Sequence, residues 1–175
     1  MAQDSRLVTG LFKDRDSAER AYRSVSDKGY SANDVNIVMS DDTRERHFAG
    51  ETATNATTEL GNKAAKGAGV GGAVGGTVGA IAGAVAAVGT SLVIPGLGLV
   101  VAGPLAAALA GGGAGAAGGG LIGALVGWNI PEERVKHYET GIKQGGILMG
   151  VKPRSDADAA HFEEEWKRSG EHVYR

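Results

Sequence analysis

From Gly67 to Pro131 the chain carries no Asp, Glu, Lys, Arg or His, and most of its 30 glycines lie there. A stretch this long without charge is expected to be covered by lipid or by other copies of the chain. Its glycines are ordered. Gly67, Gly71, Gly75, Gly79 and Gly83 recur at every fourth position, and so do Gly111, Gly115, Gly119, Gly123 and Gly127. On an α-helix this spacing lines one face with a smooth groove. An interior glycine costs about 0.5–1 kcal/mol relative to alanine, so the rows point to a compensating contact: close approach of a second backbone.

The two rows are mirror-related about Leu97. That register suits an antiparallel helical hairpin with Gly83 facing Gly111 and Gly67 facing Gly127. Pro95 and Pro104, with Gly96 and Gly98, break the helix near the midpoint and predict a hairpin tip at about 92–104. A row of five glycines covers roughly 24 Å of helix, close to the ~30 Å of bilayer hydrocarbon. In water a leucine seam would stabilise such a hairpin more. In lipid that advantage disappears, because the tails are as apolar as leucine, and close packing of small residues takes over. A membrane-associated glycine-zipper hairpin is therefore the expectation, with Trp128 as its interfacial anchor or else a packed core residue. The tip, "SLVIPGLGLVVAGPL", is the most apolar part of the stretch. A polar loop would normally emerge on the far side, so an apolar one is expected to be buried, in a re-entrant hairpin or against neighbouring copies. The alternative is a soluble, self-assembling protein whose hairpins share one apolar core.

The charged flanks read differently. "SRLVTGLF" is a strand. "DRDSAERAYRSVSDKGY" is a helix, with Asp16 as N-cap, Glu19 three residues on, Ala18, Ala21, Tyr22 and Val25 on its apolar face, and Gly29 as its stop. "VNIVMS" is the next strand. Residues 41–66 form a polar linker, a loop or a frayed helix. Beyond the uncharged block, "NIPEERVKHYETGIKQGG" is a helix that Asn129 can cap, with Val135, Tyr138 and Ile142 facing one way. "ILMGVKP" is a strand, and "SDADAAHFEEEWKRSG" a helix capped by Ser155, with Ala159, Phe162 and Trp166 buried. "EHVYR" is a short last strand. Neither flank is large enough to bury a core alone. Residues 1–40 and 128–175 are thus expected to combine into one α+β domain, a sandwich close to the ferredoxin-like pattern, with 67–127 inserted as the helical hairpin.

Signals for chemistry are few. The net charge of −2 argues against a nucleic-acid partner, and the absence of cysteine removes disulfides and thiolate chemistry. The N-terminus lacks a basic region followed by an apolar stretch, so no signal peptide is expected. "GAGVGG" (67–72) and "GAGAAG" (113–118) fit G-x-G-x-x-G, but no strand precedes either and no acidic residue follows at ribose-binding distance. His47, His137, His161 and His172 are not spaced as metal ligands, and His161 with Glu164 and Glu165 reads as a solvated helix face. No catalytic residue, cofactor or metal is inferable, and no small-molecule ligand.

Two segments nevertheless carry a family pattern. "LVTGLFKDRDSAERAYRSVSDKGYSANDVNIVMS" resembles the N-terminal motif of the bacterial heat-induced general stress proteins of the YflT type. In these, a strand ends in an aromatic residue, an S-A-E-x-A helix follows, and a glycine–aromatic turn leads to the second strand. "NIPEERVKHYETGIKQGGILMGVKP" is similar to a second motif of these and related glycine-zipper stress proteins, with Asn129 where that motif has glycine. The resemblance covers about residues 6–40 and 128–152. It implies a bacterial, non-enzymatic protein linked to stress. Joined to the glycine rows, it predicts membrane lipid and further copies of the chain as partners, with the soluble domain on the cytoplasmic side.

Overall fold

The computed structural model describes residues 7–52, 91–94, 98–106, 125 and 130–175. Strand β1 (Val8–Phe12) leads into helix α1 (Arg15–Asp27), and a short 3-10 turn (Ala32–Asp34) leads into β2 (Val35–Ser40). Helix α2 (Asp41–Thr52) follows directly. From the uncharged block come β3 (Ser91–Ile94) and β4 (Leu99–Ala102). Helix α3 (Glu132–Lys143), β5 (Ile147–Val151), α4 (Asp156–Lys167) and β6 (Glu171–Tyr174) complete the order.

Local chemistry sets the helix ends. The cap of α1 is Asp14 rather than Asp16: its carboxylate accepts from the Ser17 N–H at 2.8 Å. The chain is still extended at Asp14, and Asp16 already lies in the first turn, where its charge favours the positive end of the helix. Ser155 caps α4 as its position suggests. Pro131 occupies the N-cap of α3, and Asn129 lies outside the described residues. Gly29 and Gly145, both with positive φ, follow the C-terminal ends of α1 and α3.

The six described strands form one antiparallel sheet in the order β3-β4-β2-β5-β1-β6. β5 lies between β1 and β2 and is antiparallel to both. Strands from the two ends of the chain thus interleave, and the domain is α+β. The order of its four flank strands, β2-β5-β1-β6, is compatible with a ferredoxin-like arrangement.

Both faces of the sheet are covered. On one, Val8, Phe12, Ile37, Met39, Ile147 and Met149 pack with α1 and α4, whose Trp166 is fully buried and meets Phe12 edge-on at 5.6 Å. On the other, Leu11, Val38, Val101 and Leu148 pack with Val135, Tyr138 and Ile142 of α3 and with Leu105, Ala106 and Leu125 of the uncharged block. The faces predicted for α1, α3 and α4 are all buried.

Of the polar linker, the first part takes the helical alternative, Asp41–Thr52. One expectation changes: residues expected at the tip of a helical hairpin are two paired strands. β3 and β4 pair antiparallel from Ser91↔Ala102 to Ile94↔Leu99, and β4 pairs with β2 from Ile37↔Ala102 to Ser40↔Leu99. The physical reason is the unpaired edge of β2. An apolar strand that hydrogen-bonds there satisfies its backbone and buries both of its faces.

Candidate functional site

The residues that attach the uncharged block to the sheet form the candidate site. Gly98, predicted at the tip, precedes β4 with φ +60°, and its carbonyl accepts from the Asp41 N–H at 2.7 Å. This bond fixes the start of α2 against the start of β4. Ser40 reinforces the junction: its Oγ accepts from the Thr43 N–H at 3.1 Å and lies 2.7 Å from the Thr43 hydroxyl, which is fully buried. β4 is buried at every residue.

At its other end β4 runs into Gly103, φ +98°, where a Cβ would collide with the Val35 carbonyl oxygen. Only glycine fits this approach without strain. Pro104 follows, exposed, in the first position of a helical turn, where proline's missing N–H costs nothing. The Leu105 N–H would be unpaired at the start of that turn, and the Asn36 carboxamide oxygen accepts from it at 2.8 Å. Asn36 is buried, so this bond satisfies two groups that burial would otherwise penalise. Leu105 and Ala106 then enter the cluster that also holds Leu125.

A second grouping lies at the opposite edge. β6 carries a bulge, since three residues of β1 oppose four of β6 between the Thr9↔Tyr174 and Leu11↔Glu171 pairs. His172 sits in the bulge with φ +49°. Its imidazole stacks on His137 at 5.0 Å, and the Arg134 guanidinium covers the Tyr174 ring at 4.3 Å. Beneath them, the Tyr138 hydroxyl donates to the His172 carbonyl at 3.1 Å and contacts Thr9 Oγ1 at 2.7 Å. Burial pushes the Tyr138 phenol up to about 12, so it stays a hydrogen-bond donor at neutral pH.

Several other polar positions are tied to neighbours. Arg168 binds both Glu164 and Glu165, which leaves His161 beside an already paired surface. The His47 carbonyl accepts from Arg15 at 2.7 Å. Tyr30 donates to Asp158 at 2.9 Å, accepts from the Arg154 N–H at 2.6 Å and lies under the Arg154 guanidinium, joining the turn before β2 to the start of α4. Among the described residues there is no group of three or more metal-ligating side chains.

Gly98 and Pro104 are the predicted positions that the structure describes. The ten spaced glycines (Gly67, Gly71, Gly75, Gly79, Gly83, Gly111, Gly115, Gly119, Gly123 and Gly127), with Pro95, Gly96 and Trp128, lie outside the described residues, as do both G-x-G-x-x-G matches. Sequence reasoning missed Asn36 and Asp41. A signal for Asn36 existed: it is the one amide in the apolar run "VNIVMS". No family model matches the chain, and no curated protein or solved structure gives a significant match.

Proposed function

We propose that the chain is a non-enzymatic bacterial stress-response protein that associates with membrane lipid through its glycine rows. In this reading the α+β domain belongs to the ferredoxin-like class and holds the two glycine arms side by side, on the cytoplasmic side of the membrane. The resemblance of residues 6–40 and 128–152 to the YflT-type proteins supplies the stress link.

One observation carries the helix-pairing part. The β3–β4 register is centred between Gly96 and Leu97, and the two glycine rows mirror each other about Leu97. Ser91 and Ala102 are thus paired neighbours, and in the sequence the two glycine rows begin at nearly equal distances from them. Rows of glycine at nearly equal distance from such a pair can meet face to face, and the same rows favour further association between copies. The domain offers a described instance of glycine used for contact: a Cβ at Gly141 of α3 would collide with the Leu11 side chain of β1.

Among the described residues no helix is long and apolar enough to cross a membrane. A second reading, the soluble self-assembling protein, is favoured by the burial of Leu105, Ala106 and Leu125 in one cluster of the domain core. Carbonate-washed membranes followed by sedimentation with and without detergent separate the two. Retention by the membrane and a small detergent-dependent species support the first. A single large species in the soluble fraction, unchanged by detergent, overturns it in favour of the second.

A further inference from the structure

The two flanks of the chain meet a second time outside the sheet, where the turn before β2 faces the start of α4. The Arg154 guanidinium is the hub. It donates to the Asp34 carboxylate at 3.1 Å and to the Gly29 carbonyl at 3.2 Å, and it covers the Tyr30 ring at 4.1 Å. The Arg154 N–H donates to the Tyr30 hydroxyl at 2.6 Å, and that hydroxyl donates to Asp158 at 2.9 Å. Asp34 also accepts from the Ser31 N–H and hydroxyl, and the Asp158 N–H donates to Ser155.

Two carboxylates therefore close the contact, and ionised acceptors make the stronger bonds. Burial raises the Asp34 carboxyl, but the Ser31 bonds and the Arg154 charge outweigh it and hold it below the ordinary range. The Tyr30 bond lowers the Asp158 carboxyl against a smaller effect of desolvation, with Ser155, Lys28 and Arg154 adding to it. Both groups bind a proton less readily here than in the unfolded chain, where the ordinary value is about 3.9. The stability they contribute is thus complete above about pH 5 and is lost as the pH falls below about 4. Along the same elements lie Asp27 and Lys28 at the end of α1, Lys152 before Arg154, and Asp156 and His161 on α4. Asp156 is 3.8 Å from Arg175, and His161 lies against the Phe162 ring. By contrast β1, β2 and β5, at the centre of the sheet, contain no ionisable side chain.

We propose that this cluster is an acid-labile clasp: protonation of Asp34 and Asp158 frees the start of α4 from the turn before β2 while the central strands stay paired. Tyr30 forms the apolar side of the device. Its ring packs edge-on against the fully buried Phe162 at 5.2 Å, so opening uncovers this aromatic edge of the core. The clasp lies wholly within the α+β domain and holds under either reading of the uncharged block.

The Arg154 amide reports on the clasp directly, because its bond to Tyr30 belongs to the closed form. Amide exchange of the full-length protein is followed from about pH 5 to about pH 3 and expressed as protection factors, which removes the intrinsic effect of pH. Arg154 protection should fall about tenfold, with Leu148 in β5 unchanged. In the Asp34→Asn/Asp158→Asn variant Arg154 should be weakly protected at both ends of the range, with a change under about twofold. Loss of protection at Arg154 and Leu148 together would mean global unfolding and overturns the clasp, a result that the unmodified protein gives without any variant. Arg154 protection that is independent of pH overturns it too, as does a fall that persists undiminished in the variant.

Discussion

β4 and β6 both extend the sheet beyond its central strands, and they do so with opposite quality. β4 comes from the uncharged block, is buried at every residue and pairs with β2 in unbroken register. β6 comes from the charged tail. Its residues are exposed or half-buried, its pairing with β1 is bulged, and His172 holds a left-handed backbone. The block that composition sets apart as a separate element thus supplies the better strand of the domain. Charge segregation along a chain marks what must be covered. It does not mark where a domain ends, because the cover can come from the edge of a sheet built by other segments.

The contrast can be broken most directly at matched positions. Val101 is fully buried in β4, so Val101→Asp places an unpaired carboxylate in the core and should cost about 4 kcal/mol or more. Val173 is half-buried in β6, and Val173→Asp should cost under about 1 kcal/mol. Denaturant unfolding of both measures the difference; equal costs would mean that β4 contributes no more core than β6. Next in size, Gly103→Ala should cost about 3 kcal/mol, through its positive φ and the collision with the Val35 carbonyl. A neutral Gly103→Ala would contradict the close approach of β4 to β2.

The Tyr138 phenol sharpens the β6 side. Its folded value is raised by burial, from an ordinary value near 10 to about 12, so the neutral form is favoured in the folded chain. The resulting stability is complete below pH 10 and is lost as the pH rises through about 12. Since the hydroxyl bonds the His172 carbonyl, amide exchange in β6 should accelerate over that range before exchange in β4 does. In Tyr138→Phe the difference between the two strands should no longer change over it. The smallest effect is expected at His172. Relief of the left-handed backbone favours His172→Gly by about 1 kcal/mol, and loss of the exposed stack on His137 opposes it, for a net gain of about 0.5 kcal/mol. A loss of stability in a thermal melt would show that the ring contacts outweigh the strain.

Much of this architecture is legible in the sequence where local rules apply. Ala18, Ala21, Tyr22 and Val25 mark the buried face of α1 because helical periodicity puts them on one side. Val135, Tyr138 and Ile142 do the same for α3, and Ala159, Phe162 and Trp166 for α4. Within the candidate site, Gly98 and Pro104 announce a change of direction by their chemistry, while the role of Asn36 depends on a residue far along the chain, Leu105. Asp41 offers no signal at all, since it contributes its backbone N–H to Gly98.

The sequence by itself determined which stretch must be hidden from water, which glycines can line a helix face, and which faces of α1, α3 and α4 are apolar, because composition and spacing are properties of the chain alone. Tertiary structure decided the rest. "SLVI" and "LVVA", flanking proline and glycine, suit either the ends of two helices or two short strands. The unpaired edge of β2 selects strands: "LVVA" hydrogen-bonds there, satisfies its backbone and is buried at every residue, and "SLVI" pairs with it in turn. The side of the sheet that each helix covers was likewise open until assembly. α1 and α4 share one face and α3 takes the other, because a sheet apolar on both sides requires cover on both, and periodicity says that a helix has an inner face without saying what it will meet.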